Sequence, residues 1–154
     1  MTTPVPRSTM FLLLLSVATV LLLLGSPSSL IGRPDAAGMP VRVRLGQEFS
    51  LRVGQQAALA GGRFRVRFAS VLNDSRCPAD VTCVWAGNAE VLIEAEAGRS
   101  RARLNLNTNG GTNFPKERKH QQYTVELVAL APQPRQNSGK KAMDYVATLV
   151  IRRK

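Results

Sequence analysis

The feature that most constrains this chain is an alternation of apolar and polar residues that recurs from Val41 to Arg152. Successive side chains of a β-strand point to opposite faces, so a period of two predicts strands with one buried face. Clusters of Gly, Asn and Pro divide the alternation into about eight short strands, a pattern typical of all-β domains. We therefore predict an antiparallel β-sandwich, with a small barrel as the alternative. No window has a convincing helical period, and Gln55–Ala60 is interpreted as a turn.

The first 40 residues differ from the rest. Arg7 precedes the apolar run Met10–Leu24, whose apolar part would form a helix of about 21 Å, shorter than the roughly 30 Å hydrocarbon core of a bilayer. A basic start, a short apolar run and small residues after it predict a secretory signal peptide over residues 1–29. A membrane anchor over residues 10–31 is the alternative. Residues 30–40 are rich in Gly, Pro and Ala and are predicted to be a flexible linker to a single domain at 41–154.

The two cysteines of the chain, Cys77 and Cys83, are separated by five residues. A zinc site would need two further ligands, and the sole histidine, His120, lies far along the chain. The spacing is also not the Cys-x-x-Cys of a thioredoxin-like redox pair. In an exported protein we expect one structural disulfide, worth roughly 2 kcal/mol by loop closure. A labile redox pair and free thiols are the alternatives.

The residues after Cys83 predict a hairpin. A three-residue loop, Ala86-Gly87-Asn88, would pair Trp85 with Ala89 and Cys83 with Val91. This register places Trp85 in the core beside the disulfide. A solvent-exposed tryptophan that binds a partner is the alternative.

Asp74 and Arg76 flank the first cysteine. The Asp74 side chain is expected to accept hydrogen bonds from backbone N–H groups in an Asx-type turn, and Arg76 to pair with Asp74 or Asp80. Pro78 favours an extended Cys77. A recognition role for Arg76 is the alternative.

The stretch Asp74-Ser75-Arg76-Cys77-Pro78, followed by Val81, Cys83 and Trp85-Ala86-Gly87, resembles the signature of a family of small exported bacterial proteins. The resemblance covers about Val41 to Arg152, and only this central motif is specific. It implies a β-rich exported domain and supplies no catalytic residue. Lipid-anchored members of the family need a cysteine directly after the leader. This chain has none there, so lipid anchoring is not expected.

The chain has 21 Lys and Arg residues against 10 Asp and Glu, a formal net charge of +11. Many arginines occupy the polar positions of predicted strands, and their faces would merge into one positive surface if those strands are neighbours. These arginines are Arg42, Arg44, Arg63, Arg65, Arg67, Arg101 and Arg103. Solvated strand faces that discourage edge pairing are the alternative.

Two long polar segments, Asn107–Gln122 and Ala131–Lys141, are predicted loops, which are common sites of binding. Solvated connections are the alternative. The candidate binding residues of the chain are Arg63, Arg65, Arg67, Lys116, Arg118, Lys119 and His120. For an exported protein we expect an anionic cell-envelope polymer or a protein partner, and membrane contact only through the N-terminal segment. Nucleic acid is not expected, because the phenylalanines alternate inward and leave no stacking platform.

Catalytic patterns are absent from the sequence. His120 is predicted to lie on the surface in a charged loop, and there is no Gly-x-Ser-x-Gly or phosphate-binding glycine motif. Glu94 and Glu96 share one strand face and are expected to face solvent. We therefore predict no enzyme, cofactor or metal site. The function hypothesis is an exported non-enzymatic domain that binds through its basic faces and loops. The alternative is a secreted inhibitor or ligand-capture module that uses the 107–122 loop.

Overall fold

The computed structural model describes residues 38–136 and 144–154. The predicted signal peptide (1–29), the alternative anchor (10–31) and the predicted linker up to residue 37 lie outside the described residues. So do residues 137–143, which include part of the predicted 131–141 loop. Within the described part of the chain, no helix is long and apolar enough to cross a membrane.

The described residues form nine strands. In chain order they are β1 (Val41–Val43), β2 (Glu48–Arg52), β3 (Gln56–Leu59), β4 (Phe64–Asp74), β5 (Ala89–Ala97), β6 (Ser100–Asn107), β7 (Glu117–His120), β8 (Tyr123–Ala131) and β9 (Val146–Arg153). They form a five-stranded sheet in the order β1-β3-β4-β5-β6 and a four-stranded sheet in the order β2-β9-β8-β7. The strand pairs are antiparallel except for β1 and β3. The predicted all-β sandwich is confirmed.

The core lies between the two sheets and follows from the alternation. Alternate residues of each strand face inward, and their apolar side chains leave water together, which is the main driving force for the fold. The largest fully buried side chains come from both sheets: Phe64, Phe68, Leu51, Ile93, Leu106, Leu127, Leu149 and Ile151. Neither cysteine belongs to this core.

The connections are sorted between the two ends of the sandwich. Two long connections, residues 75–88 and 108–116, lie at one end, which we call the loop end, together with the described residues 132–136 that follow β8. The β1–β2, β3–β4, β5–β6 and β7–β8 turns lie at the other, the turn end. Since strand direction fixes this sorting, the central sequence motif lies at the loop end with residues 108–116 and 132–136 of the two long polar segments.

The structure corrects three predictions of secondary structure. Val81–Trp85 is not a strand, because β4 and β6 already occupy the two edges of β5. Ala89 pairs with Asp74 instead of Trp85, and Val91 pairs with Val71 instead of Cys83. Gln56–Leu59 is strand β3 rather than a turn, and part of the 107–122 segment is strand β7.

Candidate functional site

The connection from β4 to β5, residues 75–88, forms what we call the disulfide loop. Its neck continues the β4–β5 ladder: the Ser75 N–H donates to the Asn88 carbonyl at 2.8 Å and the Cys77 N–H to the Ala86 carbonyl at 2.9 Å. Beyond this neck, Cys77 and Cys83 are bonded, with their Cα atoms 5.9 Å apart. The predicted disulfide is confirmed, and it lies within the loop rather than between the sheets.

A buried ion pair holds the base of the disulfide loop. The Asp74 and Arg76 side chains are 8% and 7% exposed, and Arg76 donates to both carboxylate oxygens, at 2.8 Å from Nε and 2.6 Å from Nη2. The Arg76 N–H also donates to Asp74 Oδ1 at 3.2 Å, which is the predicted Asx-type turn. The remaining guanidinium donors reach the carbonyls of Leu130 and Pro132. Arg76 therefore pairs with Asp74 rather than Asp80 and joins the disulfide loop to the end of β8.

The surroundings of the ion pair shift the pKa values of Asp74 and of the neighbouring Tyr145. Burial raises the pKa of Asp74, but the hydrogen bonds and charge of Arg76 and a 3.1 Å hydrogen bond from the Tyr145 hydroxyl outweigh it. The pKa of Asp74 therefore lies below its ordinary value of 3.8. Burial and the Asp74 carboxylate raise the pKa of Tyr145 above its ordinary value of 10.0. Asp74 is ionised and Tyr145 is neutral at neutral pH.

The lowered pKa of Asp74 predicts an acid dependence of stability. A group with a depressed folded-state pKa stabilises the fold above its unfolded-state pKa, and that contribution disappears as the pH falls through the folded value. We expect Asp74→Asn to be less stable than wild type at pH 7, with a gap that narrows below about pH 4. Urea denaturation followed by circular dichroism between pH 7 and pH 2.5 measures this gap. A gap that stays constant over the whole range contradicts the assignment.

The loop is also fixed along its outer side. The Ala79 N–H donates to the Pro134 carbonyl at 2.8 Å, and Asp80 Oδ1 accepts from the Gln136 N–H at 2.9 Å. On the other side, Asn88 Nδ2 donates to Asn107 Oδ1 at 2.7 Å. The predicted motif residue Asn88 thus links the loop to the end of β6. These contacts, with the disulfide and the ion pair, define the loop conformation.

Trp85 lies at the tip of this fixed loop, and the prediction that it is a core residue is wrong. Its side chain is 81% exposed, and that of the neighbouring Val84 is 91% exposed. Once Asp74 and Ala89 are paired, residues 83–86 have no strand to join and project into solvent. A large apolar surface displayed on a fixed loop is typical of a contact site.

The exposure of Trp85 predicts a small effect of its removal on stability. We expect Trp85→Ala to change the free energy of unfolding by less than about 1 kcal/mol, because no buried surface is lost. Truncation of a buried aromatic side chain such as Phe64 would cost about 3–5 kcal/mol. Urea denaturation of the two variants, followed by far-ultraviolet circular dichroism, measures both. Equal losses would mean that Trp85 is buried.

The outer face of the five-stranded sheet carries a second candidate site, which we call the arginine face. Cross-strand pairing places two rows of side chains side by side. One row contains Arg42, Ala58, Arg65, Glu96 and Arg101, and the other contains Gln56, Arg67, Glu94 and Arg103. The rows hold five arginines and two glutamates, so their net charge is 5 − 2 = +3.

The condition for one merged positive surface, that the arginine-bearing strands are neighbours, is not met on the arginine face. Strand β5 lies between β4 and β6, so Glu94 and Glu96 separate their arginines. Arg67 Nη1 lies 3.3 Å from Glu94 Oε2, and Arg101 Nε lies 3.4 Å from Glu96 Oε2. In the described part of the chain Arg65 and Arg103 form no ion pair, so they remain available to an anion.

The other predicted binding residues lie elsewhere. Arg44 and Arg63 are at the turn end. Lys116 is in the β6–β7 connection, and Arg118 and Lys119 are exposed on the edge strand β7. The structure therefore does not join them to the arginine face.

The prediction that His120 lies in a surface loop is wrong. It is the last residue of β7, 8% exposed, and its Nε2 is 3.2 Å from the Ser100 carbonyl oxygen. Its ring centroid lies 6.4 Å from that of Phe64. His120 therefore closes the edge of the core.

The predictions from sequence did not include Tyr145, which contacts the buried ion pair, or Arg153, which lies at the turn end of β9. Tyr145 precedes β9 and reaches Asp74 from far along the chain, for which there is no local signal. Arg153 could have been found, because it continues the inward series Ala147, Leu149 and Ile151 with a charged residue. Within residues 38–136 and 144–154, no three His, Cys, Asp or Glu residues are placed to hold a metal ion.

Comparison with known proteins gives no relative: no family model, curated protein or solved structure matches the chain.

Proposed function

We propose that this chain is an exported, non-enzymatic binding domain, and that its arginine face binds an anionic polymer of the cell envelope. The observation that carries the proposal is the composition of the two cross-strand rows, in which five arginines surround two glutamates. The disulfide supports export, because such bonds persist in oxidising compartments.

The arrangement suits a repeating anion. Residues two apart on one strand are about 7 Å apart, and neighbouring strands are about 4.8 Å apart, so the guanidinium groups form a grid rather than a pocket. Each contact on such an exposed surface is weak, but several act together and release counterions from the polymer. The pairs of Arg67 with Glu94 and of Arg101 with Glu96 hold those arginines in place.

The arginine face is better suited to a polymer that is recognised by its charge than to a nucleic acid that is recognised by its bases. Phe64 and Phe68 point into the core, and the two rows contain no aromatic side chain on which a base could stack. An acidic polysaccharide needs no such platform.

Salt-dependent binding of heparin, as a probe polyanion, tests the proposal. Arg65→Gln/Arg103→Gln removes two of the three arginines of the face that form no ion pair in the described residues, the third being Arg42. Arg52→Gln/Lys119→Gln removes the same charge from exposed positions of the other sheet. We expect the first variant to reduce the slope of log affinity against log salt by about 2, at roughly one per arginine, and the control to leave it unchanged. Equal losses in both variants, or binding that is insensitive to salt, would refute the proposal.

A second candidate is capture of a protein partner by the loop end, which the 81% exposure of Trp85 favours. The predicted 107–122 loop contributes through residues 108–116, because Asn109 donates to the Asn88 side chain and to the Gly87 carbonyl. Such a complex would persist in high salt, unlike binding by the arginine face.

Capture can be tested with exported proteins of the native host. A stoichiometric complex is expected with wild type, to be lost in Trp85→Ala and to be retained in Val128→Ala, which shortens an exposed apolar side chain on β8. A complex that still forms with Trp85→Ala would show that the loop tip is not the contact site.

A further inference from the structure

At the turn end, the gap between the two sheets opens into a depression of about 370 Å³. Its floor is apolar and comes from both sheets: Val43, Leu59, Phe64 and Tyr123. Its rim carries three cations: Arg44, Arg63 and Arg153. We propose that this turn-end pocket binds a small amphipathic anion, a carboxylate or phosphate monoester attached to an apolar chain or ring.

The charge of the rim points to an anion. Among the described residues, no carboxylate lines the pocket, and Arg44, Arg63 and Arg153 form no ion pair. Three guanidinium groups around one opening repel one another unless solvent or a bound anion separates them. Arginine presents several donors in a planar fork that matches carboxylate and phosphate oxygens.

Arg153 occupies a position that the strand pattern assigns to the core. The inward residues of β9 are Ala147, Leu149 and Ile151, all fully buried, and Arg153 is the next in this series. It is the cross-strand partner of Tyr123, whose ring lines the same pocket. The alternation therefore directs a guanidinium toward the mouth of the sandwich, whereas Arg152 points outward to Glu126.

The floor points to an apolar group on the same ligand. The Tyr123 ring stacks on Phe64 with centroids 4.3 Å apart, and it is 8% exposed. Its hydroxyl makes no hydrogen bond within the described residues and is not buried, so it can donate to a head group. The volume lies within the usual range of small-ligand pockets, about 300–1,000 Å³.

This pocket is separate from the arginine face, so the two proposals can fail independently. Arg65, Arg67 and Arg103 do not line it, and its ligand would need an apolar part that a polyanion lacks. The protein could fail to bind heparin and still bind an amphipathic anion in the turn-end pocket. It could also bind heparin and fail to bind the amphipathic anion.

Calorimetric titration with defined probes tests the inference. Octyl phosphate and octanoate, each below its micelle concentration, carry the two head groups on one chain. Octanol lacks the charge, and inorganic phosphate lacks the chain. We expect saturable one-to-one binding of at least one of the charged amphiphiles, and binding of octanol and inorganic phosphate weaker by about tenfold or more. The ratio of the dissociation constants of octyl phosphate and octanoate shows which head group the pocket prefers.

Variants then assign the site. Arg153→Gln should weaken binding of the charged amphiphile by about tenfold and leave octanol unaffected, since a charge-assisted contact is lost. Arg52→Gln, an exposed position at the end of β2 that does not line the pocket, is the matched control and should bind as wild type. Both positions are exposed, so both variants should keep the wild-type melting temperature. Absence of saturable binding by either charged amphiphile, or equal binding by Arg153→Gln and wild type, would overturn the inference.

Discussion

Replacement of Arg76 by Met should lower the free energy of unfolding by about 3–5 kcal/mol, the cost of removing one partner from a buried ion pair. Arg76 makes two hydrogen bonds to the Asp74 carboxylate from its side chain and two more to the carbonyls of Leu130 and Pro132. Met fills a similar length of chain but donates no hydrogen bond. The variant would leave a largely buried carboxylate without its charged partner and two carbonyl groups without the guanidinium donor.

Three further variants distinguish the effect of the buried charge from that of the guanidinium hydrogen bonds. Arg103→Met, on the exposed arginine face, is the matched control and should change stability by less than about 0.5 kcal/mol. Asp74→Asn combined with Arg76→Met should cost less than the sum of the two single changes, because the charge left behind is removed. Arg76→Lys keeps the charge but not the planar fork and should recover only part of the loss. Urea denaturation at pH 7 measures all four. A loss below about 1 kcal/mol in Arg76→Met would show that the pair is solvated.

Replacement of Gly87 by Ala should destabilise the protein by more than about 3 kcal/mol, an effect in the range of severe single changes. Gly87 has φ +68°, and a Cβ atom added there would lie 1.8 Å from the Ser75 carbonyl oxygen and 2.8 Å from the Arg76 Cα. Both atoms belong to the backbone of the loop neck. They cannot rotate away, so the two sides of the neck must separate and the hydrogen bonds that close it must lengthen or break.

Gly98 provides the control for backbone conformation. It has φ +61°, and a Cβ there would meet nothing within 4 Å, so Gly98→Ala carries only the left-handed strain of about 1–2 kcal/mol. The difference between the two variants isolates the contact with Ser75 and Arg76. Thermal and urea denaturation of both proteins gives this difference. Equal losses would mean that the neck opens without cost.

The sandwich could be predicted because its signal is local and repeated. Most of the strands carry their own alternation, as in Phe64, Val66 and Phe68, and burial of those side chains follows directly. The disulfide and the pairing of Arg76 with Asp74 could also be predicted, because their partners are close in sequence. Strand partners depend on which edges are already occupied, which has no local signal. The predicted Trp85 hairpin is wrong for that reason, and with it the predicted burial of Trp85.

His120 is a second residue whose burial could not be predicted from the local sequence. Its charged neighbours Arg118 and Lys119 are typical of a surface segment, and they are indeed exposed. A four-residue edge strand needs only one inward side chain to join the core, and here that side chain is the histidine. Composition alone does not reveal so short a strand.

The position of Trp85 has a consequence for spectroscopy. It is the sole tryptophan of the chain and lies in solvent at the tip of the disulfide loop, away from the core. Its emission in the folded protein should already resemble that of tryptophan in water, so intrinsic fluorescence will report poorly on global unfolding. The same emission will respond directly to any molecule that covers the tip. The chain thus carries a built-in reporter for contacts at its loop end, and no label has to be added.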